Sequence, residues 1–253
     1  PYSPKAGTGL STHELNQPGC YRDVTDTTVV AQFKLGAGQN TPFGQSDDIH
    51  LMAWTTTPWT LSSNTALAVG PKIEYVLVKT FNQYTFKEIN VVLAKKLVGY
   101  QFAKGYSVVE SESDLATYNE GDKSIPYCVV GECLGKDLAG LKYEQLLPYA
   151  EPFENKENAF QVIIGDFVTT EDGTGIVHTA PTFGAEVAAD AGVPGLLVLD
   201  ENDNPTPLVD LQGRFTSHMG EFAGKYVKNE YYDDGVAPDK SVDVEIAIKL
   251  KIE

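Results

Sequence analysis

The stretch LMAWTTTPWTLSSN, residues 51–64, ends an apolar strand in three consecutive threonines, a proline and a tryptophan. Alternation along a strand places Thr55 and Thr57 on one face and Thr56 on the other, so hydroxyl groups point to both sides. Pro58 cannot donate to a strand ladder, so we expect the strand to stop there and leave the hydroxyls at an open end. A threonine hydroxyl has one donor and two lone pairs, enough to hold a ribose or orient a water molecule without a charge. Threonine is also a good strand former, so a purely structural role is the competing interpretation.

A second stretch, FVTTEDGTGIVHTAPTFGAEVAADAGVPG at residues 167–195, predicts a hairpin that carries a histidine. The dipeptide Asp172-Gly173 is typical of a turn, and the returning strand over 175–180 places His178 between two apolar neighbours on one face. A histidine in that setting is usually a core or edge residue with one satisfied hydrogen bond, so alone it is weak evidence for a site. A glycine and an acidic residue just beyond the strand could curl back over the same strand end.

Charge and cysteine content exclude several classes of function. The formal net charge is −16, from 35 acidic and 19 basic side chains. A surface that tracks nucleic-acid phosphates needs clustered Lys and Arg, so any nucleic acid must bind locally. Cys20, Cys128 and Cys133 have no C-x-x-C spacing and the four histidines are scattered, so we expect neither a disulfide framework nor a metal site. Free thiols favour a reducing, cytoplasmic compartment.

Most apolar segments are short, β-branched or aromatic, and bounded by Gly, Asn, Asp or Pro, which is typical of strands. We predict strands over 27–35, 49–57, 65–69, 74–80, 125–131, 160–168, 175–180 and 196–199. Apolar residues three and four apart predict helices over 89–98 and 242–250, and a weaker one over 114–118. Because many short strands must protect their edges, we expect one α+β domain over 1–253, mainly β, with a closed or strongly coiled sheet. No run of roughly 18 apolar residues suggests a membrane span, and the lack of an initiator methionine suggests an excised fragment.

Two motifs together resemble the editing domain of isoleucyl-tRNA synthetase, a large insertion in the catalytic fold of this class I synthetase. They are WTTTPWTLSSNTALAVGP at 54–71 and GTGIVHTAPTFGA at 173–185. The resemblance extends to DVTDTTVVAQFKL at 23–35, GLKYEQLLPY at 140–149 and GKYVKNEYYDDG at 224–235, so it covers nearly the whole chain. Leucyl and valyl relatives carry Thr-Thr-Arg-Pro at the strand end, and the absence of that arginine favours the isoleucyl branch. The aminoacylation signatures His-x-Gly-His and Lys-Met-Ser-Lys-Ser are not in the sequence.

The resemblance implies a β-barrel-like core with peripheral helices and a proofreading hydrolase. Its substrate is valine wrongly esterified to the isoleucine tRNA, with valyl-adenylate as a second candidate. Such a site is needed because one methylene in an apolar pocket distinguishes isoleucine from valine by only ~1–3 kcal/mol. Isoleucyl-tRNA synthetase is the standard example of this limit. The implied partners are the 3′ end of the valine-carrying tRNA and the remainder of the synthetase, with a monomeric chain and no membrane. The chain itself needs no cofactor and makes no aminoacyl-tRNA, since ATP and Mg²⁺ serve the full-length synthetase.

The resemblance also assigns roles to individual residues. The catalytic set is Thr56, Thr57, His178 and Glu186. The substrate-binding set is Trp54, Thr55, Trp59, Asn64 and Thr179. His178 matches the histidine whose bulk admits valine and excludes isoleucine. Because no Ser–His–Asp or Cys–His pairing is evident, we expect direct attack by a positioned water on the ester, with hydroxyls and backbone amides stabilising the oxyanion.

The family pattern breaks after the histidine strand. The family has an acidic residue followed by an aspartate that binds the substrate's α-ammonium group, whereas this chain has Glu186 and then Val187. Either Glu186 takes over, or the chain lacks the anchor, or a short loop is missing after Ala185. We favour the missing loop, which predicts that consecutive Cα atoms near Ala185 lie farther apart than the ~3.8 Å of a trans peptide.

Two other interpretations compete with hydrolysis. A catalytically silent module that binds the tRNA 3′ end fits the missing aspartate and the acidic surface. A β-rich domain with structural threonines is the other, and replacing Thr56 and Thr57 by Val would then leave activity unchanged. The hydrolase interpretation requires both threonines to lie close to His178 around one small pocket.

Overall fold

A nine-stranded sheet dominates the computed structural model, which describes residues 2–3, 6–21, 23–45, 48–184 and 191–252. The strands are β1 (Tyr2–Ser3), β2 (Thr8–Gly9), β3 (Val29–Lys34), β4 (Ile49–Thr55), β5 (Ala66–Val69), β6 (Glu74–Phe81), β7 (Glu88–Ala94), β8 (Tyr106–Val108), β9 (Ile125–Leu134), β10 (Gln161–Ile164), β11 (Ile176–Thr179), β12 (Leu197–Leu199) and β13 (Pro205–Pro207). The sheet order is β10-β5-β11-β4-β7-β6-β9-β8, with β3 paired to β4. The pairs β1-β2 and β12-β13 form two separate ladders. All eight predicted strands are therefore confirmed, with ends that shift by a few residues.

Four of the five described helices have four residues each and lie between strands, and the fifth, with 11 residues, follows the last strand. They are α1 (Thr12–Leu15), α2 (Val98–Gln101), α3 (Glu112–Leu115), α4 (Gly135–Leu138) and α5 (Val242–Ile252). Single 3₁₀ turns cover Pro58–Ser63, Lys95–Leu97, Lys156–Asn158, Pro181–Phe183, Ser217–Phe222 and Asn229–Tyr231. Helix α5 confirms the helix predicted over 242–250, and α3 overlaps the weak one over 114–118. None of the helices in the described ranges has the length and apolar character needed to cross a membrane.

The helix predicted over 89–98 is wrong. This segment is strand β7, followed by the 3₁₀ turn and α2. Strand β7 lies between β4 and β6 and is buried on both faces: Val92 and Ala94 pack into the main core, and Val91 and Leu93 into a second cluster. A strand covered on both faces has a continuous apolar run, and the residues of such a run also fall at helical spacing.

Strand β4 changes partners along one edge. It pairs with antiparallel β3 from Val29↔Thr55 to Lys34↔His50. Its other edge pairs with β7 near its start, up to Leu51↔Val92, and with parallel β11 near its end, at Val177↔Trp54. Because parallel strands end at the same side of a sheet, the carboxyl ends of β4 and β11 lie together. This is the relationship that builds the site.

The mainly β, mixed architecture with a large sheet is confirmed, but the described strands do not close into a barrel. The sheet path ends at β10, which pairs with β5, and at β8, which pairs with β9. These edge strands have four and three residues. The outer side of β10 is covered by the segment 140–143, where the Gly140 N–H donates to the Val162 carbonyl at 2.8 Å and the Tyr143 N–H to the Phe160 carbonyl at 3.0 Å. The three-residue β8 leaves little free edge for pairing with other chains.

Candidate functional site

A cavity of about 580 Å³ lies where β4 and β11 end side by side. Eight of the nine predicted site residues lie in the described part of the chain, and six of them line the cavity: Trp54, Thr55, Thr56, Thr57, His178 and Thr179. The hairpin loop before β11 and the 3₁₀ turn after it complete the wall. The structure thus brings the two motifs together around one space, as the hydrolase interpretation requires.

The threonines form a connected row because Pro58 starts a 3₁₀ turn directly after them. That turn carries Thr60 back beside Thr57: the Thr60 hydroxyl donates to the Thr57 carbonyl at 2.7 Å, and the two Oγ1 atoms are 3.2 Å apart. The Thr57 backbone N–H in turn donates to Thr55 Oγ1 at 3.1 Å. Thr56 is exposed and Thr57 half-buried, whereas Thr55 is buried. The open end of the strand is therefore a set of hydroxyls in fixed relative positions.

His178 is held at both ring nitrogens. Its Nε2 lies 2.9 Å from Thr60 Oγ1, and its Nδ1 lies 2.8 Å from Asn64 Nδ2. Desolvation by the surrounding protein lowers the pKa of His178 from the ordinary 6.5 to about 4, so the ring is uncharged at neutral pH. An uncharged ring with both nitrogens bonded to protein groups is a rigid wall of the cavity and is poorly placed to carry protons.

Two predicted binding residues lie beside the cavity instead of lining it. Asn64 is 3% exposed and sits behind His178. Trp59 packs edge-on against the Phe183 ring with centroids 4.9 Å apart, and its backbone N–H donates to Asp243 Oδ1 at 2.8 Å. Both residues position the groups in front of them.

Glu186 lies outside the described residues, as does the chain near Ala185 where we expect widely separated Cα atoms. Both statements therefore stay predictions.

Among the lining residues that the sequence did not indicate, three have side chains that matter for a ligand. Thr60 joins the cavity wall because the 3₁₀ turn repeats every three residues, a signal present in the Pro58 that starts the turn. Asp172, interpreted as a turn residue, places an exposed carboxylate at the cavity, and it alone carries a formal charge among the described lining residues. Phe183 adds a partly exposed aromatic face. Within the described part of the chain, no group of three His, Cys, Asp or Glu side chains could hold a metal ion.

A buried ion pair supports the turn from behind. Asp243, on α5, is fully buried and accepts hydrogen bonds from the Trp59 backbone N–H and from Lys228 Nζ, each at 2.8 Å. Lys228 also bonds to Asp26. This pair ties the segment after the three threonines to a helix far away in the sequence.

The chain is similar to part of several curated proteins, although no family model matches it. It is 54% identical over 264 residues to the isoleucine–tRNA ligase of Cytophaga hutchinsonii, which covers 99% of this chain and 23% of that protein. It is 50% identical over 273 residues to the isoleucine–tRNA ligase of Porphyromonas gingivalis, covering 100% of this chain and 23% of that protein. The chain thus spans less than a quarter of the length of these relatives. Both alignments are longer than its 253 residues, so each relative has residues without a counterpart here.

Solved structures give a weaker likeness. The crystal structure of GlLeuRS-CP1 matches at a TM-score of 0.41 and 18% identity, over 72% of this chain and 70% of that chain. The P. knowlesi cytosolic leucyl-tRNA synthetase editing domain matches at 0.40 and 14%, over 60% of this chain and 56% of that chain. TM-scores below 0.5 do not establish a shared fold.

Proposed function

Because the chain belongs to the isoleucine–tRNA ligase family and spans 23% of its relatives' length, we propose that it is the editing domain of such a synthetase. It hydrolyses valine wrongly esterified to the isoleucine tRNA. Its partners are the 3′ end of that tRNA and the remainder of the synthetase in the cytoplasm. It acts as a monomer without a cofactor of its own, and ATP and Mg²⁺ serve aminoacylation elsewhere in the full-length enzyme.

The observation that carries this proposal is the cavity between the ends of β4 and β11. Thr57 and His178 both line it and are joined through one side chain, Thr60, by contacts of 3.2 and 2.9 Å. Small-molecule sites in proteins typically occupy roughly 300–1,000 Å³, and about 580 Å³ suits an amino acid esterified to a terminal adenosine. A wall of neutral hydroxyls fits a ribose and an ester, because it binds both without attracting the phosphates of the tRNA body.

His178 selects the amino acid by size. Its ring is fixed by hydrogen bonds at both nitrogens, so it cannot move aside for a longer side chain. Valine fits in front of the ring, whereas the extra methylene of isoleucine collides with it. The selection is the reverse of that in the synthetic site, which excludes larger amino acids only.

The reaction is direct attack by water. The water oxygen bonds to the ester carbonyl carbon, the bond from that carbon to the ribose oxygen breaks, and the proton reaches the ribose oxygen through the neighbouring ribose hydroxyl. Thr56 and Thr57 orient the water and the carbonyl group. The α-ammonium group has two candidate anchors: Asp172 at the cavity, and Glu186, which lies outside the described residues.

Deacylation of defined substrates tests this function. The chain is mixed with the isoleucine tRNA charged with valine or with isoleucine, and release of each amino acid is measured. We expect valine to be released much faster than isoleucine, and replacing Thr56 and Thr57 together by Val to abolish release. Thr80→Val is the matched control, because Thr80 is equally a strand threonine but is fully buried and donates to the Pro126 carbonyl at 2.8 Å. Binding of the tRNA end without release of either amino acid would instead identify the silent module.

A further inference from the structure

Tyr143 lies behind the cavity and does not line it. The residue is 4% exposed, and its ring packs edge-on against Phe33 at 5.4 Å and Phe160 at 6.2 Å between centroids. Its backbone N–H also donates to the Phe160 carbonyl at 3.0 Å. The ring is therefore fixed, and its hydroxyl donates to Asn64 Oδ1 at 2.6 Å. A buried tyrosine held this way defines where the Asn64 oxygen must be.

The Asn64 amide has one allowed orientation. Its Nδ2 donates to the Ala66 carbonyl at 2.8 Å. The reversed amide would place Oδ1 there, with two acceptors in contact and no proton between them, and would face Nδ2 to the Tyr143 hydroxyl. Two groups compete for the remaining Nδ2 proton, the Thr179 carbonyl at 3.4 Å and His178 Nδ1 at 2.8 Å, and the shorter contact directs it at the ring nitrogen.

This orientation fixes the tautomer of His178. An amide nitrogen only donates, so Nδ1 must carry the lone pair, and the single proton of the neutral ring is on Nε2. The Nε2–H group then donates to Thr60 Oγ1 at 2.9 Å.

The hydrogen bonds that start at Tyr143 end at Thr60 Oγ1, which accepts from both sides. The Thr60 hydroxyl proton goes to the Thr57 carbonyl at 2.7 Å, so toward its other two neighbours Thr60 Oγ1 is an acceptor. One lone pair receives His178 Nε2–H, and the other receives the Thr57 hydroxyl proton across 3.2 Å. The other neighbour of the Thr57 hydroxyl, Thr55 Oγ1, is farther away at 3.4 Å and already accepts from the Thr57 backbone N–H. With its proton directed at Thr60, Thr57 Oγ1 presents a lone pair toward the cavity.

We propose that Tyr143 is a positioning residue for the hydrolysis: through Asn64 its hydroxyl holds His178 as the Nε2–H tautomer, which leaves Thr57 Oγ1 as the acceptor of a hydrogen bond from the attacking water. The contact between Thr57 and the attacking water rests on the proposed function, whereas the tautomer of His178 does not. Without the Tyr143 hydroxyl, the buried Asn64 Oδ1 loses its donor, and the amide is held at the Ala66 carbonyl alone. The amide can then tilt away from Nδ1, so His178 can exchange tautomers and the donor and acceptor roles of the threonine hydroxyls are no longer fixed.

Nitrogen NMR of the histidine ring tests the proposed tautomer of His178 and does not depend on a deacylation assay. A protonated and an unprotonated ring nitrogen have well-separated ¹⁵N shifts, and the chain has four histidines, so three serve as internal references. In the unmodified chain we expect His178 with Nε2 protonated and Nδ1 not. In Tyr143→Phe the two shifts should move toward each other, while in the Thr80→Val control, which also loses a buried hydroxyl, they should stay apart. A protonated Nδ1 in the unmodified chain, or unchanged shifts in Tyr143→Phe, would overturn the proposal.

A second variant covers the case in which Tyr143→Phe does not fold. Asn64→Ala removes the donor to Nδ1 without placing an acceptor against the Ala66 carbonyl, so we expect the two ring shifts to move toward each other as in Tyr143→Phe. Unchanged shifts in that variant would overturn the proposed control of the tautomer by residue 64.

Deacylation kinetics distinguish a failure of this inference from a failure of the proposed function. Deacylation by Tyr143→Phe should show kcat lowered about ten-fold or more with KM unchanged, since misorientation of reacting groups costs rate without costing binding. An unaltered kcat together with altered ring shifts would overturn the positioning role. If the unmodified chain releases no valine at all, the proposed function fails, and the ring shifts still decide the tautomer.

Discussion

Val177 on β11 pairs with Trp54 on β4, and this pairing of two parallel strands lies at the edge of the cavity that both residues line. Strand β4 runs into threonines followed by Pro58, and β11 ends at Thr179, two residues before Pro181. Placed in parallel, the two ends become adjoining walls of one space, where the threonine row meets His178 through Thr60. The chemistry proposed for the chain follows from this juxtaposition.

Removing the His178 ring should open the amino-acid pocket. His178→Ala deletes the wall and its bond to Thr60, so isoleucine as well as valine enters. We expect the preference for valyl over isoleucyl ester, which a size difference of one methylene sets at roughly 10–200-fold, to fall toward unity. The measurement is the ratio of kcat/KM for the two charged tRNAs, with His218→Ala, an exposed histidine, as the control. Retained preference would show that another residue sets the size limit.

Stability should depend on pH through His178. Its pKa is about 4 in the folded chain against an ordinary 6.5, so between these values the unfolded chain binds a proton that the folded chain does not. The free energy of unfolding therefore falls as pH drops from 6.5 to 4, by about 1.4 kcal/mol per unit and at most about 3 kcal/mol, because the ring is partly exposed. Denaturant unfolding of the chain and of His178→Gln isolates this contribution. A difference between the two that is independent of pH would contradict the lowered pKa.

Gly173 should be required for the position of Trp54. The glycine has φ +68°, and a Cβ added to it would lie 3.0 Å from Trp54 Cε3. Gly173→Ala should cost about 1–3 kcal/mol for the backbone conformation and also shift the indole. Gly140→Ala is the control, since it has φ +82° and open space around the added methyl group. Tryptophan fluorescence should change in the first variant and not in the second, and equal spectra would contradict the contact.

Asp243 should hold the turn after the threonines. Asp243→Asn removes the buried negative charge between Lys228 and the Trp59 backbone and leaves a partly buried ammonium group with Asp26 as its partner. Breaking a buried ion pair by removing one partner costs about 3 kcal/mol. Glu151→Gln, which breaks the exposed pair with Lys156, should leave unfolding unchanged. A similar effect of both variants on thermal unfolding would argue against the anchoring role.

Local sequence patterns predicted the strands well because β-branched runs bounded by turn residues depend on nearby residues only. The failure at β7 has a different cause, since whether a strand is covered on both faces depends on partners elsewhere in the chain. The contact of Trp59 with Asp243 joins residues 184 positions apart, and the link from Tyr143 to Asn64 spans 79. The motifs at 54–71 and 173–185 contain the predicted residues that line the cavity. Nothing in their spacing indicated which distant side chains hold the threonine hydroxyls and His178 in place. Those groups belong to segments whose own sequences carry no local signal of a site.

We expect the cavity between the ends of β4 and β11 to hold the ester and its amino acid. A crystal structure with a non-hydrolysable valyl-adenosine analogue measures this directly. The valyl side chain should contact the His178 ring, the ester carbonyl should lie within hydrogen-bond distance of Thr56 or Thr57, and the α-ammonium group should lie at Asp172 or Glu186. An analogue bound elsewhere on the chain, with this cavity empty, would contradict this expectation.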